Sequence, residues 1–110
     1  MIEETVLKYL KSKGFRAFTE EPEDTKKEYV LIEKTGSSAE NHVKRATLAI
    51  QSFSASLHET AMLNEKMKEA MEHIIELDDV CKCKLNSDYN YPDIVRKRYR
   101  YQAVYDIVHY

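Results

Sequence analysis

The residue types that most often bind metals or carry catalysis are sparse in this 110-residue chain, which has four histidines and two cysteines. They are His42, His58, His73, His109, Cys81 and Cys83. Metal sites need spacings such as His-x-x-x-His or Cys-x-x-Cys, and the chain contains neither. Its two glycines, Gly14 and Gly36, are too few for the loops that cradle phosphates. The sequence therefore predicts no metal, cofactor or nucleotide.

Neighbouring carboxylates occur in the pairs Glu20 with Glu21 and Asp78 with Asp79, all in polar linker positions. General acid–base catalysis needs a buried carboxyl or a raised pKa, and nothing around these pairs predicts either. No serine lies in a nucleophile-elbow pattern. We therefore predict that the protein is not an enzyme.

Cys81 and Cys83 are two positions apart on a predicted strand, which places them on the same face. Side chains at this spacing splay apart, so a disulfide between them is geometrically unfavourable. We predict two free thiols.

Recognition by tyrosine and arginine is the chemistry with the clearest pattern, and it is concentrated in residues 98–110. The alternation predicts one long strand with two different faces. One face carries Tyr99, Tyr101, Ala103, Tyr105, Ile107 and His109. The other carries Arg98, Arg100, Gln102, Val104, Asp106, Val108 and Tyr110. We interpret Tyr101, Tyr105 and Ile107 as core residues, and Arg98 and Arg100 as exposed contact residues.

A strand of this length spans about 40 Å, whereas strands of five or six residues are usual. We do not expect a small sheet to cover all of it. Part of the strand should bend, project or pair with another chain, because unpaired strand edges are templates for association. The strand therefore favours assembly over catalysis.

Charge is divided along the chain, although the net charge is only −2. Residues 1–80 hold 11 Lys and Arg against 16 Asp and Glu, whereas residues 81–110 hold 6 against 3. Such a division can steer head-to-tail self-association or docking to an acidic partner, and chance scatter is the alternative.

There is no secretory signal pattern and no apolar run near the length of a membrane span, so we expect a soluble intracellular chain without membrane contact.

The elements that position these residues follow from periodicity and punctuation. We predict a short amphipathic helix from Ile2 that ends before Gly14, and a long helix from a capping box at Ser56 and Glu59 to about Leu77. Strands are predicted over residues 15–19, 28–35, 42–53 and 80–85 and in the final segment; a helix is the competitor for residues 42–53. Loops are predicted at residues 20–27, 36–38 and 86–93.

The apolar face of the long helix is predicted to carry Leu57, Ala61, Met67, Ala70, Met71 and Ile74. Met62, Met67 and Met71 are interpreted as gap-filling core residues. Residues 1–110 are thus expected to form one α+β domain of two layers. It consists of an antiparallel or mixed sheet of four or five strands, with the short N-terminal helix and the long helix packed on one face.

Five segments in this order resemble the tail terminator proteins of long-tailed phages and prophages, also called tail completion or head-tail joining proteins. They are residues 32–38, 51–57, 63–65, 85–90 and 99–105, so the resemblance covers nearly the whole chain. Residues 91–95 depart from the more polar loop of such proteins.

The resemblance implies a virion neck protein without a cofactor that is made in the host cytoplasm. It would form a homo-oligomeric ring, commonly a hexamer, which caps the tail tube protein and presents a surface to the head connector protein. The expected subunit or partner contacts are Glu33, Lys34, Asp88, Tyr89, Tyr91, Arg98 and Arg100.

Two alternatives remain open. A single-stranded nucleic-acid binder would stack bases on the tyrosines and hold phosphates with Arg96, Lys97, Arg98 and Arg100. The net negative charge makes nucleic acid an unfavoured partner. So does the alternation, which places Arg98 and Arg100 on the opposite face of the strand from Tyr99 and Tyr101. An adaptor that binds a peptide by strand addition to its sheet edge is the second alternative.

Overall fold

The computed structural model describes all 110 residues, which form one five-stranded sheet with two helices against one of its faces. The elements in chain order are α1 (Ile2–Ser12), β1 (Ala17–Phe18), β2 (Tyr29–Glu40), β3 (Val43–Ser54), α2 (Leu57–Met71), a 3₁₀ turn (Ile74–Glu76), β4 (Val80–Asn90) and β5 (Tyr99–His109). The predicted α+β class, the two layers and the order of elements are confirmed. Neither helix combines the length and the apolar composition needed to span a bilayer.

The strands lie in the order β1-β2-β3-β5-β4. The sheet is mixed, because β1 pairs with β2 in parallel and all other pairs are antiparallel. The tyrosine-rich strand β5 is internal: it pairs with β3 from Tyr99 to His109 and with β4 from Tyr101 to His109. The expectation that a small sheet could not cover this strand, so that part of it would bend, project or pair with another chain, is therefore wrong, because its two neighbours are as long as it is.

Strand β2 does not end at Gly36 as predicted. A bulge between Lys34 and Gly36 lets it continue to Glu40, and the turn falls at Asn41 and His42, whose φ angles are 51° and 65°. Positive φ at both central residues is what a two-residue type I′ hairpin requires, and asparagine tolerates it well. A bulge lets a strand continue past a glycine, and Gly36, which indicated a turn in the sequence, therefore lies within β2.

The predicted loop at residues 86–93 is also wrong over most of its length. Strand β4 bulges between Leu85 and Ser87 and continues to Asn90, so the connection to β5 begins at Tyr91. Because β4 is an edge strand with little burial, it accommodates the polar residues that resembled a turn. Asp88 and Tyr89 therefore lie within a strand.

Helix α2 begins as predicted, since the Glu59 amide donates a hydrogen bond of 3.1 Å to the Ser56 Oγ. It ends at Met71, before the predicted Leu77, and at about 1.5 Å per residue it is about 22 Å long. Its buried face consists of Thr60, Leu63, Asn64, Met67 and Met71. Leu57 and Met62 are each 47% exposed, so their assignment to the core is wrong.

The core lies between the helices and the sheet, and Tyr105 and Ile107 belong to it as predicted. Tyr101 is only half-buried and does not. Cys81 and Cys83 were predicted to lie on the same face of a strand. A bulge between Val80 and Lys82 interrupts the strand register between them, and Cys81 is exposed whereas Cys83 is half-buried. Both are free, and burial raises the pKa of the Cys83 thiol to about 11.

Candidate functional site

The face of the sheet opposite the helices is named here the bare face, because no helix covers it. Near the start of β5, aromatic and arginine side chains cluster on it. Cross-strand pairing brings Tyr29, Phe53 and Arg100 side by side from β2, β3 and β5. The rings of Tyr29 and Phe53 are stacked at 4.7 Å between centroids, with an interplanar angle of 15°. This aromatic pair forms the base of the cluster.

Arg98 covers that base, with its guanidinium carbon 4.6 Å from the Phe53 ring centroid. Its Nη1 donates hydrogen bonds of 2.6 Å to the Glu21 Oε1 and to the Tyr29 hydroxyl oxygen. Its Nη2 donates at 2.9 Å to the Asp93 Oδ2. The side chain is only 20% exposed. Arg98 therefore joins the loop before β2 to the turn between β4 and β5, instead of presenting its charge outward as predicted.

The titration behaviour of these groups follows from the same contacts. The hydrogen bond from Arg98 lowers the pKa of Glu21 and likewise that of Asp93. Burial raises the pKa of Tyr29 to about 12, and its hydrogen bond to Glu21 acts in the same direction. Burial opposes protonation of Arg98, but its hydrogen bonds to Glu21 and Asp93 outweigh burial and raise its pKa. All four groups hold their neutral-pH charge states firmly.

Arg100 extends the cluster toward β4. Its Nε donates a hydrogen bond of 2.7 Å to the Tyr91 carbonyl oxygen, and its guanidinium carbon lies 4.2 Å from the Tyr91 ring centroid. The rings of Tyr89 and Tyr91 meet edge to face at 5.7 Å. Tyr89, Tyr91 and Arg100 thus contact one another in turn, whereas Arg98 has Glu21, Tyr29 and Asp93 as its partners. Cross-strand register, which the alternation of one strand does not contain, places Tyr89 opposite Gln102, the next residue after Arg100 on the same face of β5.

Asp88 lies away from this cluster and contacts helix α2. The Asn64 Nδ2 donates a hydrogen bond of 2.8 Å to its Oδ1, and the Lys68 ammonium is paired with its Oδ2. Lys68 also pairs with Glu65 at 2.7 Å. Asp88 therefore connects the edge strand to the helix layer, and it is not the loop residue that the sequence predicted.

Glu33 and Lys34 lie further along β2, at the start of its exposed half. The Lys34 Nζ is 3.7 Å from the Glu3 Oε1 of α1, whereas Glu33 has no ion-pair partner. Both residues are exposed, as a contact role requires, but they lie four strand positions or more from Tyr29. The predicted contact residues therefore occupy three separate places.

Two rows of polar side chains cross the bare face, and the sequence analysis missed them. In one row, the Gln51 Nε2 donates at 2.8 Å to the Gln102 Oε1, and Gln102 in turn donates to the Tyr89 hydroxyl. In the other, Asp106 accepts from the Thr47 Oγ1 at 3.2 Å and from the Asn86 Nδ2 at 2.9 Å. The rows hold β3, β4 and β5 together through side chains.

The turn between β4 and β5 carries a feature that was also missed. Ile94 and Val95 at its apex are 82% and 92% exposed. The turn is closed by two backbone hydrogen bonds of 3.0 Å between Asp93 and Arg98. Two apolar residues between turn residues were the available sequence signal. The pair Ile94 and Val95 is named here the tip.

No three His, Cys, Asp or Glu side chains are grouped so as to hold a metal ion. The exposed surface offers aromatic and arginine side chains, which are enriched in protein contacts, and the two apolar residues of the tip. No protein-family model matches the chain, and no curated protein matches it in sequence. The tail terminator resemblance therefore stays a prediction.

Proposed function

We propose that the chain is a structural protein of the neck of a long-tailed phage or prophage. In this role it caps the tail tube as a homo-oligomeric ring, with six copies as the expected number, and joins the tail to the head connector. It acts in the virion after it has been made in the host cytoplasm.

The observation that carries the proposal is that the segments of the resemblance contact one another. Gln51, Tyr89 and Gln102 come from three of those segments and form one hydrogen-bonded row. Asn64, from a fourth segment, donates to Asp88. Segments that are dispersed in sequence but adjacent in space define one framework, which supports reading them as parts of one fold.

The exposed sheet edge at β4 is protected against pairing with other chains, which favours assembly through other surfaces. The edge strand β4 has two bulges, and it carries Lys82 and Lys84. Bulges and lysines protect sheet edges against pairing with other chains. Strand addition at the β4 edge is therefore disfavoured, which leaves the adaptor alternative only the edge of β2 beyond Leu31, where β1 no longer pairs with it. The bare face and the tip remain as candidate contact surfaces.

The decisive experiment adds the purified protein to headless tail tubes from the phage whose genome encodes it. Negative-stain images should show a ring at one tube end only, arrest of tube growth, and tubes that now join to heads. Failure to bind either tube end, combined with absence of the chain from purified virions, would refute the proposal.

One observation favours the nucleic-acid alternative: Tyr89, Tyr91 and Arg100 share the bare face, where bases could stack. However, Arg98 is already paired with Glu21 and Asp93, so its charge is not free for phosphate. A fluorescent oligonucleotide titrated at low salt tests this alternative. Binding that weakens steeply as salt rises would favour it, and no binding would remove it.

A further inference from the structure

We infer that the tip of one copy inserts into a groove between α2 and β4 of a second copy. This inference rests on the proposed function only for the idea that copies assemble, and it specifies which two surfaces meet. The tip is Ile94 and Val95, as defined above. The groove encloses about 520 Å³ and is lined by Met62, Met71, Leu85, Tyr105, Glu69 and Glu72, among others.

The tip is built to be an anchor. Ile94 and Val95 are the two most exposed of the large hydrophobic residues, so both side chains gain from leaving water. Their turn is ordered before any contact: besides the Asp93 and Arg98 backbone pair, the Arg96 amide donates to the Asp93 Oδ1 at 3.2 Å. A pre-ordered apolar residue loses little entropy on binding, which favours affinity.

The groove offers a matching site. Tyr105 and Met71 form a buried floor, while Met62 and Leu85, 47% and 40% exposed, form apolar walls. A volume near 520 Å³ lies within the range of about 300–1,000 Å³ that is usual for binding pockets. Cys83, which is half-buried, completes the apolar lining.

Charges around the two surfaces are complementary. Lys68 in the groove lining is already paired with Glu65 and Asp88. The charged lining residues without an ion pair are then Glu69, Glu72 and Lys66, so the unpaired charge of the groove is negative. The tip is followed directly by Arg96, which pairs with the Glu21 Oε2 at 3.4 Å, and by Lys97, which has no ion-pair partner within the chain. Opposite charges at the rim of an apolar contact set the register and speed the encounter.

The contact has to form between copies. Tyr105 lies six residues along β5 from Tyr99, where the turn ends, which is about 20 Å of strand. The groove is on the helix side, whereas Arg98 holds the turn against the bare face. Because the two surfaces are different, each copy uses one and offers the other. Such heterologous contacts close into rings when the rotation between copies permits it.

Disulfide trapping tests the contact even if the complex is short-lived. The background carries Cys81→Ser and Cys83→Ala. Cysteine is added singly as Val95→Cys, as Met62→Cys, or, for control, as Lys11→Cys at an exposed position of α1. Mixed Val95→Cys and Met62→Cys proteins should cross-link at least about tenfold faster than Val95→Cys with Lys11→Cys, because binding raises the effective thiol concentration. Equal rates would overturn the inference.

A charge exchange provides the matched control. Glu69→Lys in the groove protein should slow the cross-link, and Lys97→Glu in the tip protein should restore it. Failure of Lys97→Glu to restore the rate would overturn the proposal that Lys97 of the tip protein lies against Glu69 of the groove.

Two further outcomes separate this inference from its competitors. Sedimentation with anionic phospholipid vesicles that requires Ile94 and Val95, without the preferential cross-link, would assign the tip to a lipid surface and overturn the inference. A preferential cross-link in a protein that does not bind tail tubes would refute the neck function and leave the contact standing. Tube capping without the preferential cross-link would support the neck function and overturn the inferred contact.

Discussion

The Arg98 Nη1 donates a hydrogen bond of 2.6 Å to the Glu21 Oε1, which lies 77 residues earlier in the chain. This bond closes the end of the sheet, because Glu21 belongs to the loop before β2 and Arg98 begins the return into β5. The second terminal nitrogen of the guanidinium, Nη2, donates a hydrogen bond to the Asp93 carboxylate in the turn between β4 and β5. One side chain therefore fixes the position of two connections.

Replacing Arg98 should destabilise the protein without abolishing the fold. Arg98→Ala leaves Glu21 and Asp93 without their shared donor, and we expect a loss of about 2–4 kcal/mol in the free energy of unfolding. Arg98→Lys keeps the charge but not the fork, so it should recover only part of the loss. Urea denaturation measures both, with Lys97→Ala as the exposed control. A loss below 0.5 kcal/mol, roughly the scatter of surface changes, would show that Arg98 is free for external partners.

The same cluster predicts acid sensitivity. Because Arg98 lowers the pKa of Glu21 and Asp93 in the folded state, their contribution to stability is complete above the pKa values of the unfolded chain. It is lost as the pH falls through the lower folded values. Stability measured across the acid range should therefore fall less steeply in Glu21→Gln and Asp93→Asn than in the wild type. Parallel curves for all three proteins would contradict this.

An alkaline effect should come from Tyr29. Its pKa is raised to about 12 in the folded state, so the unfolded chain loses that proton first as the pH rises. The contribution of Tyr29 is therefore present below its ordinary value near 10 and lost between about pH 10 and 12. Tyr29→Phe should flatten this part of the stability curve, and circular dichroism at a fixed urea concentration is a suitable measurement. An unchanged slope would show that other groups control alkaline unfolding.

Sequence patterns predicted what is local in this fold and missed what depends on distant partners. The Ser56 cap, the end of α1 before Gly14 and the alternation of β5 each follow from residues that are close together in sequence. The strands that pair with β5 do not follow from its own sequence, so part of β5 was expected to bend, project or pair with another chain. The predicted apolar face of α2 differs from the observed one because Asn64, which is polar, lies at its centre. The burial of Asn64 is favourable only because it donates a hydrogen bond to Asp88, which is distant in sequence. The pairing of Arg98 with Glu21 was missed for the same reason.

Asp88 should behave as a structural residue. Asp88→Ala leaves the buried Asn64 amide without its acceptor and Lys68 without one carboxylate, and we expect a loss of about 1–3 kcal/mol in the free energy of unfolding. Glu65→Ala removes only the exposed partner of Lys68 and should cost well under about 1 kcal/mol. Chemical denaturation compares them. Similar small effects for the two variants would return Asp88 to the list of external contacts.

Two methionines on α2 should differ in how much stability their truncation costs, although the sequence assigned both to the core. Met67 is fully buried, and Met67→Ala should cost about 2–5 kcal/mol through lost burial and a cavity. Met62 is 47% exposed at the groove, so Met62→Ala should change the free energy of unfolding by no more than about 0.5 kcal/mol. Thermal melts of the two variants side by side provide the measurement. Because both substitutions remove the same atoms from the same helix, the difference isolates burial, and equal losses would mean that α2 presents a different face to the sheet.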